Sequence, residues 1–372
     1  MTHMRRIYPL LLVSTLLCAC GRSGNDTTAS RYEIPTKVYS LSRSALEGAD
    51  PSWEVSGNYL ILSGEPDNRR LSSIEKMLIT GDKMILRDKA TINIYDKQGR
   101  YLSSVSYQGK ANNEYMDLGD ISFRRGEVYI LDGSYGKLLR YDSCGRLLSA
   151  RTLPLNDLNG MAVLDSGYIF YRPLYSSDDD LPEYRYALTY TDTSLNILHQ
   201  EIRYTENSPD IYNGSPFIEN NERLFFHQFL TDRYSSIDRN TGAVRTYGID
   251  FGTDSISVED LKEPQNIFAE KSNKRYLTTT PFFHRNYLIV TTAQNRTPAT
   301  YCIDTASGTI HDISRIVGNN PACVGFDTEA LYFPCESESA VPDSVKQAYE
   351  SGRCVLLEIQ LPQTEMQKQT KP

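Results

Sequence analysis

One phrase recurs along the chain and restricts what it can fold into. At Ile92-Asn93-Ile94-Tyr95-Asp96-Lys97-Gln98-Gly99-Arg100-Tyr101-Leu102 an alternating strand runs into a tight polar turn and out into a second strand, the pattern of a β-hairpin. The same order returns at Leu138-Leu139-Arg140-Tyr141-Asp142-Ser143-Cys144-Gly145-Arg146-Leu147-Leu148, so Asp96 and Asp142 stand 46 residues apart. Gly81 and Gly126 keep a spacing of 45, and Asp88 and Asp132 one of 44. A period of about 40 to 50 residues with four strands per repeat is how a β-propeller blade looks in sequence. Turn chemistry accounts for these glycines and aspartates: Gly supplies positive φ, and Asp bonds nearby backbone amides.

Carried along the chain, the period predicts an all-β, six-bladed β-propeller with four-stranded antiparallel blades. Blade one takes strands at 74–79, 83–87, 91–95 and 101–106, and blade two takes 120–123, 128–132 and the hairpin at Asp142. In blade three, 161–164 and 168–170 precede an insertion and a strand at 186–190, and the turn at Asp192 to Ser194 departs from the pattern. Blade four opens at Ser215-Pro216-Phe217, and blade five copies it from Thr280-Pro281-Phe282, with Asp238 and Asp304 standing 66 apart. Blade six has strands at 322–326, 331–333 and 354–359, with an insertion at 334–352 that holds a short helix at 344–350. The polar tail offers it no fourth strand. Two stretches before blade one also read as strands, 37–42 and 59–63. The second lacks a partner nearby, so it is predicted to pair with 354–359 and close the ring, which removes two exposed edges.

The N-terminus carries an address. Arg5 and Arg6 precede an apolar run from Ile7 to Leu17 that is too short to span a bilayer and ends in Leu17-Cys18-Ala19-Cys20-Gly21, which reads as an export signal. Leu17, Ala19 and Cys20 match the bacterial lipoprotein signal, and by that resemblance Cys20 is the acylated first residue of the mature chain. The predicted organisation is a signal peptide at 1–19, a polar tether at 20–30, the propeller at 31–362 and a polar tail at 363–372. Beyond Cys20 the mature chain has Cys144, Cys302, Cys323, Cys335 and Cys354, an odd number for an oxidising compartment. One pair among Cys323, Cys335 and Cys354 is close enough in sequence to bridge, while buried free thiols suit most of them. A net charge of −8 with dispersed Lys and Arg argues against nucleic acid as a partner.

The signal, the six repeats and Gly109-Lys110-Ala111-Asn112-Asn113-Glu114-Tyr115 after the first hairpin together resemble the six-bladed β-propeller lipoproteins of Bacteroidetes, which are distantly similar to NHL-type propellers. In that family the stretch usually reads Gly-x-Gly-Pro-Gly-Glu-Tyr; Gly109, Glu114 and Tyr115 match it, while Ala111, Asn112 and Asn113 depart. The resemblance implies the fold and little about activity; the signal points to a lipid-anchored place in the cell envelope, and the tether Gly21-Arg22-Ser23-Gly24-Asn25-Asp26, which lacks an acidic run, points to the outer membrane with either side open.

In such blades the second-to-third-strand loops and the crossovers share one face. The longest segments, 107–118, 171–185, 204–214, 250–279 and 334–352, all fall there, and long loops on one side of a rigid scaffold are the usual place for recognition. The candidate ligand-binding residues on them are Tyr107, Lys110, Asn112, Asn113, Glu114, Tyr115, Tyr171, Arg172, Tyr175, Tyr184, Tyr212 and Asn213, a mixture of aromatic platforms and polar groups suited to a glycan or a peptide. Asp178-Asp179-Asp180 leaves a calcium or other divalent ion open, without the spacing of an EF-hand. His199, His227, His284 and His311 do not assemble into a metal set by register, and neither a G-x-S-x-G motif nor a P-loop is present. The expectation is therefore a ligand- or protein-binding module without catalysis and without a cofactor. A lyase or hydrolase of the NHL-like kind with a channel-bound metal, and a scaffold subunit of an envelope complex, are the alternatives. Asp26-Thr27-Thr28, Asp254-Ser255-Ile256, Asp304-Thr305-Ala306 and Asp343-Ser344-Val345 also resemble an envelope O-glycosylation signal.

Overall fold

The hairpins seen in the sequence are the outer halves of successive blades. The computed structural model describes residues 32 to 362, apart from 33, 51–52, 54, 90, 106–107, 112, 175–184, 206–207, 209–213, 319–320 and 336–340. Six sheets follow one another as the blades of a propeller. Blade one is Lys76–Thr80, Lys83–Arg87, Ile92–Asp96 and Tyr101–Ser104, and blade two is Leu118–Arg124, Glu127–Asp132, Lys137–Asp142 and Leu147–Thr152. Blade three comprises Gly160–Leu164, Gly167–Tyr171, Tyr186–Asp192 and Ile197–Arg203; blade four comprises Phe217–Glu219, Arg223–His227, Arg233–Asp238 and Val244–Asp250. Blade five has Phe282–His284, Tyr287–Gln294, Thr297–Asp304 and Ile310–Asp312.

Blade six is completed from the other end of the chain. Its own strands are Gly325–Phe326, Leu331–Pro334 and Val355–Gln360, and Ser56–Ile61 pairs antiparallel with the last of these, Ser56 opposite Gln360 and Ile61 opposite Val355. The predicted closing strand is therefore present, and its next residue, Leu62, is fully buried with Leu86, Tyr95 and Leu356. The helix forms at Asp343–Glu350 and sets Val345 and Ala348 against Val341 and Val355. The strand before it, Lys37–Ser40, runs parallel to Val244–Asp250 as a fifth, outermost strand of blade four.

The apolar core lies between blades rather than within any one of them. Leu78, Ile94, Ile121 and Val128 join blades one and two, Leu131, Met161 and Phe170 join two and three, and Leu356, Met77 and Tyr95 join six and one. Each sheet thus buries both faces against its neighbours, which explains strands that are apolar on both sides near the axis and alternate toward the rim.

The recurrent aspartate is a turn cap. In blades one to five, Oδ1 of Asp96, Asp142, Asp192, Asp238 and Asp304 each accepts two backbone N–H bonds from its own turn, at 2.8–3.0 Å. Those amide bonds hold the Asp142, Asp238 and Asp304 carboxyls below the usual range. Blade three keeps the same cap, although its sequence departs from the pattern. Leu195, at φ 70, stands where blades one and two have Gly99 at φ 77 and Gly145 at φ 85. Glycine is needed at the latter two for a second reason: a Cβ on Gly99 would lie 2.7 Å from the Ile61 carbonyl oxygen, and one on Gly145 2.6 Å from that of Ser104. Each turn tip therefore rests directly on the outer strand of the preceding blade.

Candidate functional site

Of the residues singled out from sequence, Tyr107, Asn112, Tyr175, Tyr184, Tyr212 and Asn213 lie outside the described residues, as do Cys20 and Asp178–Asp180. The remainder do not gather around one opening. Tyr115 is fully buried in the core between blades one and two. Tyr171 and Arg172 are also buried, Tyr171 with its ring against Phe226. These three are placed as packing residues; Lys110 and Asn113 are exposed.

The family-like stretch is a clasp. Oε2 of Glu114 accepts from the Ala111 N–H at 2.8 Å, the Gly109 N–H donates to the Tyr115 carbonyl at 2.9 Å, and Lys137 Nζ donates to the Glu114 carbonyl at 2.9 Å. A Cβ at position 109 would stand 2.0 Å from the Glu114 carboxylate, so a side chain there would displace the Glu114 carboxylate folded over it. Gly109, Glu114 and Tyr115 thus lock the first crossover against blade two.

The opening on this face is instead axial. A pocket of about 520 Å³ is lined by the starts of inner strands and the crossovers into them, including Lys76, Ser215, Thr280 and Cys323, and by the ends of second strands at Arg87 and Pro334. It lies on the long-loop side, as strand direction predicts. At its floor Lys76 Nζ donates to Asp120 Oδ1 at 2.9 Å and stands 3.8 Å from Glu219 Oε1. Asp120 also accepts from the Ile121 and Met161 amides at 2.8 and 3.0 Å and from the Ser215 hydroxyl at 2.8 Å. Glu219 Oε2 accepts from the Ser122 hydroxyl at 2.9 Å and lies 2.9 Å from Arg239 Nη1. Arg87 bonds Glu75 at 3.1 Å and the Gly119 carbonyl at 3.0 Å.

Three cations, Lys76, Arg87 and Arg239, thus face three carboxylates, Glu75, Asp120 and Glu219. With charges balanced, Glu219 Oε1 still has no hydrogen-bond partner among the described residues although its residue is 4% exposed. That oxygen keeps a lone pair open to a donor, whether a water or a group that reaches the base of the pocket.

Sequence reasoning missed these residues, but a signal was there. Lys76 and Asp120 stand 44 residues apart, the spacing of Asp88 and Asp132, and each is a charge set into an otherwise apolar inner strand. Asp88 and Asp132 themselves bind backbone, Asp88 the Ser72 and Thr91 amides at 2.8 and 2.6 Å and Asp132 the Met116 amide at 2.9 Å.

The four histidines stand apart: His199 and His311 in the outer strands of blades three and five, His227 in a second strand and His284 in an inner one. Among the described residues no group of three or more His, Cys, Asp or Glu side chains could hold a metal ion. Cys144, Cys302, Cys323 and Cys354 are free thiols, and burial pushes the Cys323 thiol up to about 12. Of the glycosylation-like triplets, Asp254 is buried beside Arg43 and Arg275, at 3.2 and 3.7 Å, and Asp304 caps its turn.

Burial lowers the imidazoles of His227 and His284 to about 4, against about 6.5 in the unfolded chain. The unfolded state therefore binds more protons between those values, and stability is full above pH 6.5 and falls as pH drops toward 4. The expected loss between pH 7 and pH 5 is roughly 2 kcal/mol for each histidine. Urea denaturation at the two pH values checks this, and His227→Gln with His284→Gln should flatten the slope.

The fold and the pocket define the class: a six-bladed propeller with a charge-balanced axial pocket on its long-loop face. Within that class the chain belongs to the family described as a domain of unknown function, DUF4934, whose model matches residues 67–328. It is similar in structure to a protein of Bacteroides fragilis described as exported, with 14% identity, a TM-score of 0.70, and 88% of this chain and 99% of that one covered. A member of the DUF4221 family from Bacteroides vulgatus shows 13% identity and a TM-score of 0.53, with coverage of 84% and 99%. At such identities the likeness speaks for the fold. No curated protein matches the chain. Among the described residues no helix is long and apolar enough to cross a membrane.

Proposed function

We propose that this protein is a lipid-anchored propeller of the cell envelope, held at the outer membrane through Cys20, that binds an uncharged, hydroxyl-rich ligand of the glycan kind in its axial pocket without transforming it. The observation that carries the reading is Glu219 Oε1, which makes no hydrogen bond among the described residues and stands 3.8 Å from Lys76 Nζ, where six charges at and beneath the pocket already cancel. A hydroxyl can donate to that oxygen and accept from the lysine at once. A ligand with net charge would enter against an already balanced set and leave one charge desolvated without compensation. A volume of about 520 Å³ falls within the ~300–1,000 Å³ common for small-molecule sites. Thr278, Thr279 and Thr280 add further hydroxyl groups at the wall.

The test is a titration of the purified propeller with defined neutral mono- and disaccharides, read by thermal shift. At least one should raise the melting temperature, and Ala322→Trp, which fills the pocket from its rim, should abolish the rise without moving the unliganded value. Failure of all neutral saccharides, or equal binding to Ala322→Trp, would overturn the reading. For the anchor, Cys20→Ser should move the protein from the membrane to the soluble fraction; retention at the membrane would count against acylation.

A further inference from the structure

A second opening lies on the opposite, short-turn face, between blades two and three. We propose that it binds a phosphate group. The cleft, of about 330 Å³, brings together Arg124, Arg125, Arg140 and Arg151 with only two carboxylates, Glu127 and Asp165. Strand register explains the gathering. Arg140 sits opposite Tyr129 on one side and Ser149 on the other, and Arg151 sits opposite Leu138, two residues along. With side chains alternating along each strand, Tyr129, Arg140, Ser149 and Arg151 therefore share the face turned toward blade three. From blade three, Asp165 and Tyr168 complete the walls.

The four guanidiniums are not equally committed. Arg124 and Arg125 both pair with Asp165, each at 2.7 Å. Arg151 gives one bond from each terminal nitrogen to the Thr193 and Ser194 carbonyls, at 2.7 and 2.6 Å, which satisfies geometry but not charge. Among the described residues Arg140 pairs with Glu127 alone, 3.4 Å from its Nε, and that buried nitrogen makes no hydrogen bond there. Four positive charges against two negative leave an excess of two in a chain whose net charge is −8. Burial raises the Tyr168 phenol pKa while the charges of Arg151 and Arg140 pull it the other way, as cations sharing the cleft with that hydroxyl should.

Two planar forks converging on a partly enclosed, tyrosine-walled cleft suit the bidentate capture of an oxyanion. The excess of two matches the charge of a phosphate monoester, about −1.5 to −2 at neutral pH. Low-dielectric walls concentrate the field there. The phosphate can be offered in two forms, free or on a lipid headgroup, and the same groups would receive either.

The experiment titrates the propeller with inorganic phosphate by calorimetry and, separately, with phosphatidic acid and phosphatidylcholine vesicles in flotation, the first lipid carrying a phosphate monoester and the second a diester. Saturable binding in either arm is expected, and the arm that responds identifies the source. Arg140→Gln should weaken it, and Arg140→Gln with Arg151→Gln should weaken it by roughly tenfold or more. Arg100→Gln with Arg146→Gln removes the same charge from turns on the same face and should change binding less than about twofold. No saturable binding of phosphate together with no preference for phosphatidic acid, or an equal loss in the control pair, would overturn the proposal. Melting curves of each variant confirm that it is folded before binding is read.

Discussion

Deleting the chain up to and including Ser63 should abolish cooperative unfolding. Ser56–Ile61 supplies the fourth strand of blade six along its whole length, and the deletion bares the edge of Val355–Gln360 as well as the cavity left by Leu62, itself fully buried. Removing a buried leucine alone costs roughly 2–5 kcal/mol, and the strand adds its ladder and the contacts between Ser63 and blade one, where Ser63 N–H donates to Gly99 at 3.0 Å and Tyr101 N–H to Ser63 at 2.8 Å. Against a total of about 5–15 kcal/mol for a typical domain, that loss consumes most of the stability. Because the deletion also removes Lys37–Ser40, a point variant isolates closure. Leu62 N–H donates to the Cys354 carbonyl, so in an antiparallel ladder every second residue, Leu60 and then Asn58, directs its N–H to the partner strand. Asn58 is exposed, and Asn58→Pro removes that bond with little packing lost. Its melting temperature should fall clearly, whereas deletion of residues 21–30 should leave it unchanged. A sharp, unshifted transition in the protein lacking everything through Ser63 would show that blade six stands without its N-terminal strand.

The blades were legible in the sequence because each repeat is local: Asp96 and Gly99, or Asp142 and Gly145, specify a hairpin within five residues. Closure was legible for a different reason, since an unpaired strand at each end of a ring leaves one economical solution. What stayed hidden was pairing without a pattern. Lys37–Ser40 read as a strand, but its parallel docking on blade four is set by that blade's outer edge and leaves no trace in its own residues. The axial pocket was half visible, because Lys76 and Asp120 keep the blade period while Glu219 and Arg239 come from across the ring. Tyrosine misled for a physical reason: it suits a ligand platform and a blade interface equally, and Tyr115 and Tyr171 took the second role.

Arg239 carries the second large effect. Only 1% exposed, it ties three blades together, its guanidinium donating to the carbonyls of Phe123 in blade two at 2.6 Å, Val163 in blade three at 3.0 Å and Asn220 in blade four at 2.7 Å. Burial pulls its pKa down and the charge of Glu219 pulls it back up, and an arginine in such company stays charged. Arg239→Met keeps the apolar stem and removes the charge, leaving Glu219 and three carbonyls buried without their donor. The expected cost is about 3–5 kcal/mol, measured as the change in unfolding free energy in urea. Glu219→Gln added to Arg239→Met removes the stranded carboxylate, and the survivors Lys76, Arg87, Glu75 and Asp120 again balance, so the double variant should regain part of the loss, on the order of 1–2 kcal/mol. If the double were as unstable as the sum of the two singles, Glu219 and Arg239 would not act as a pair, and the interblade carbonyl bonds alone would account for the cost. If Arg239→Met cost less than about 1 kcal/mol, the range of an ordinary exposed pair, the junction of blades two, three and four would be held by the apolar core, and the charges beneath the axial pocket would be free to serve the ligand.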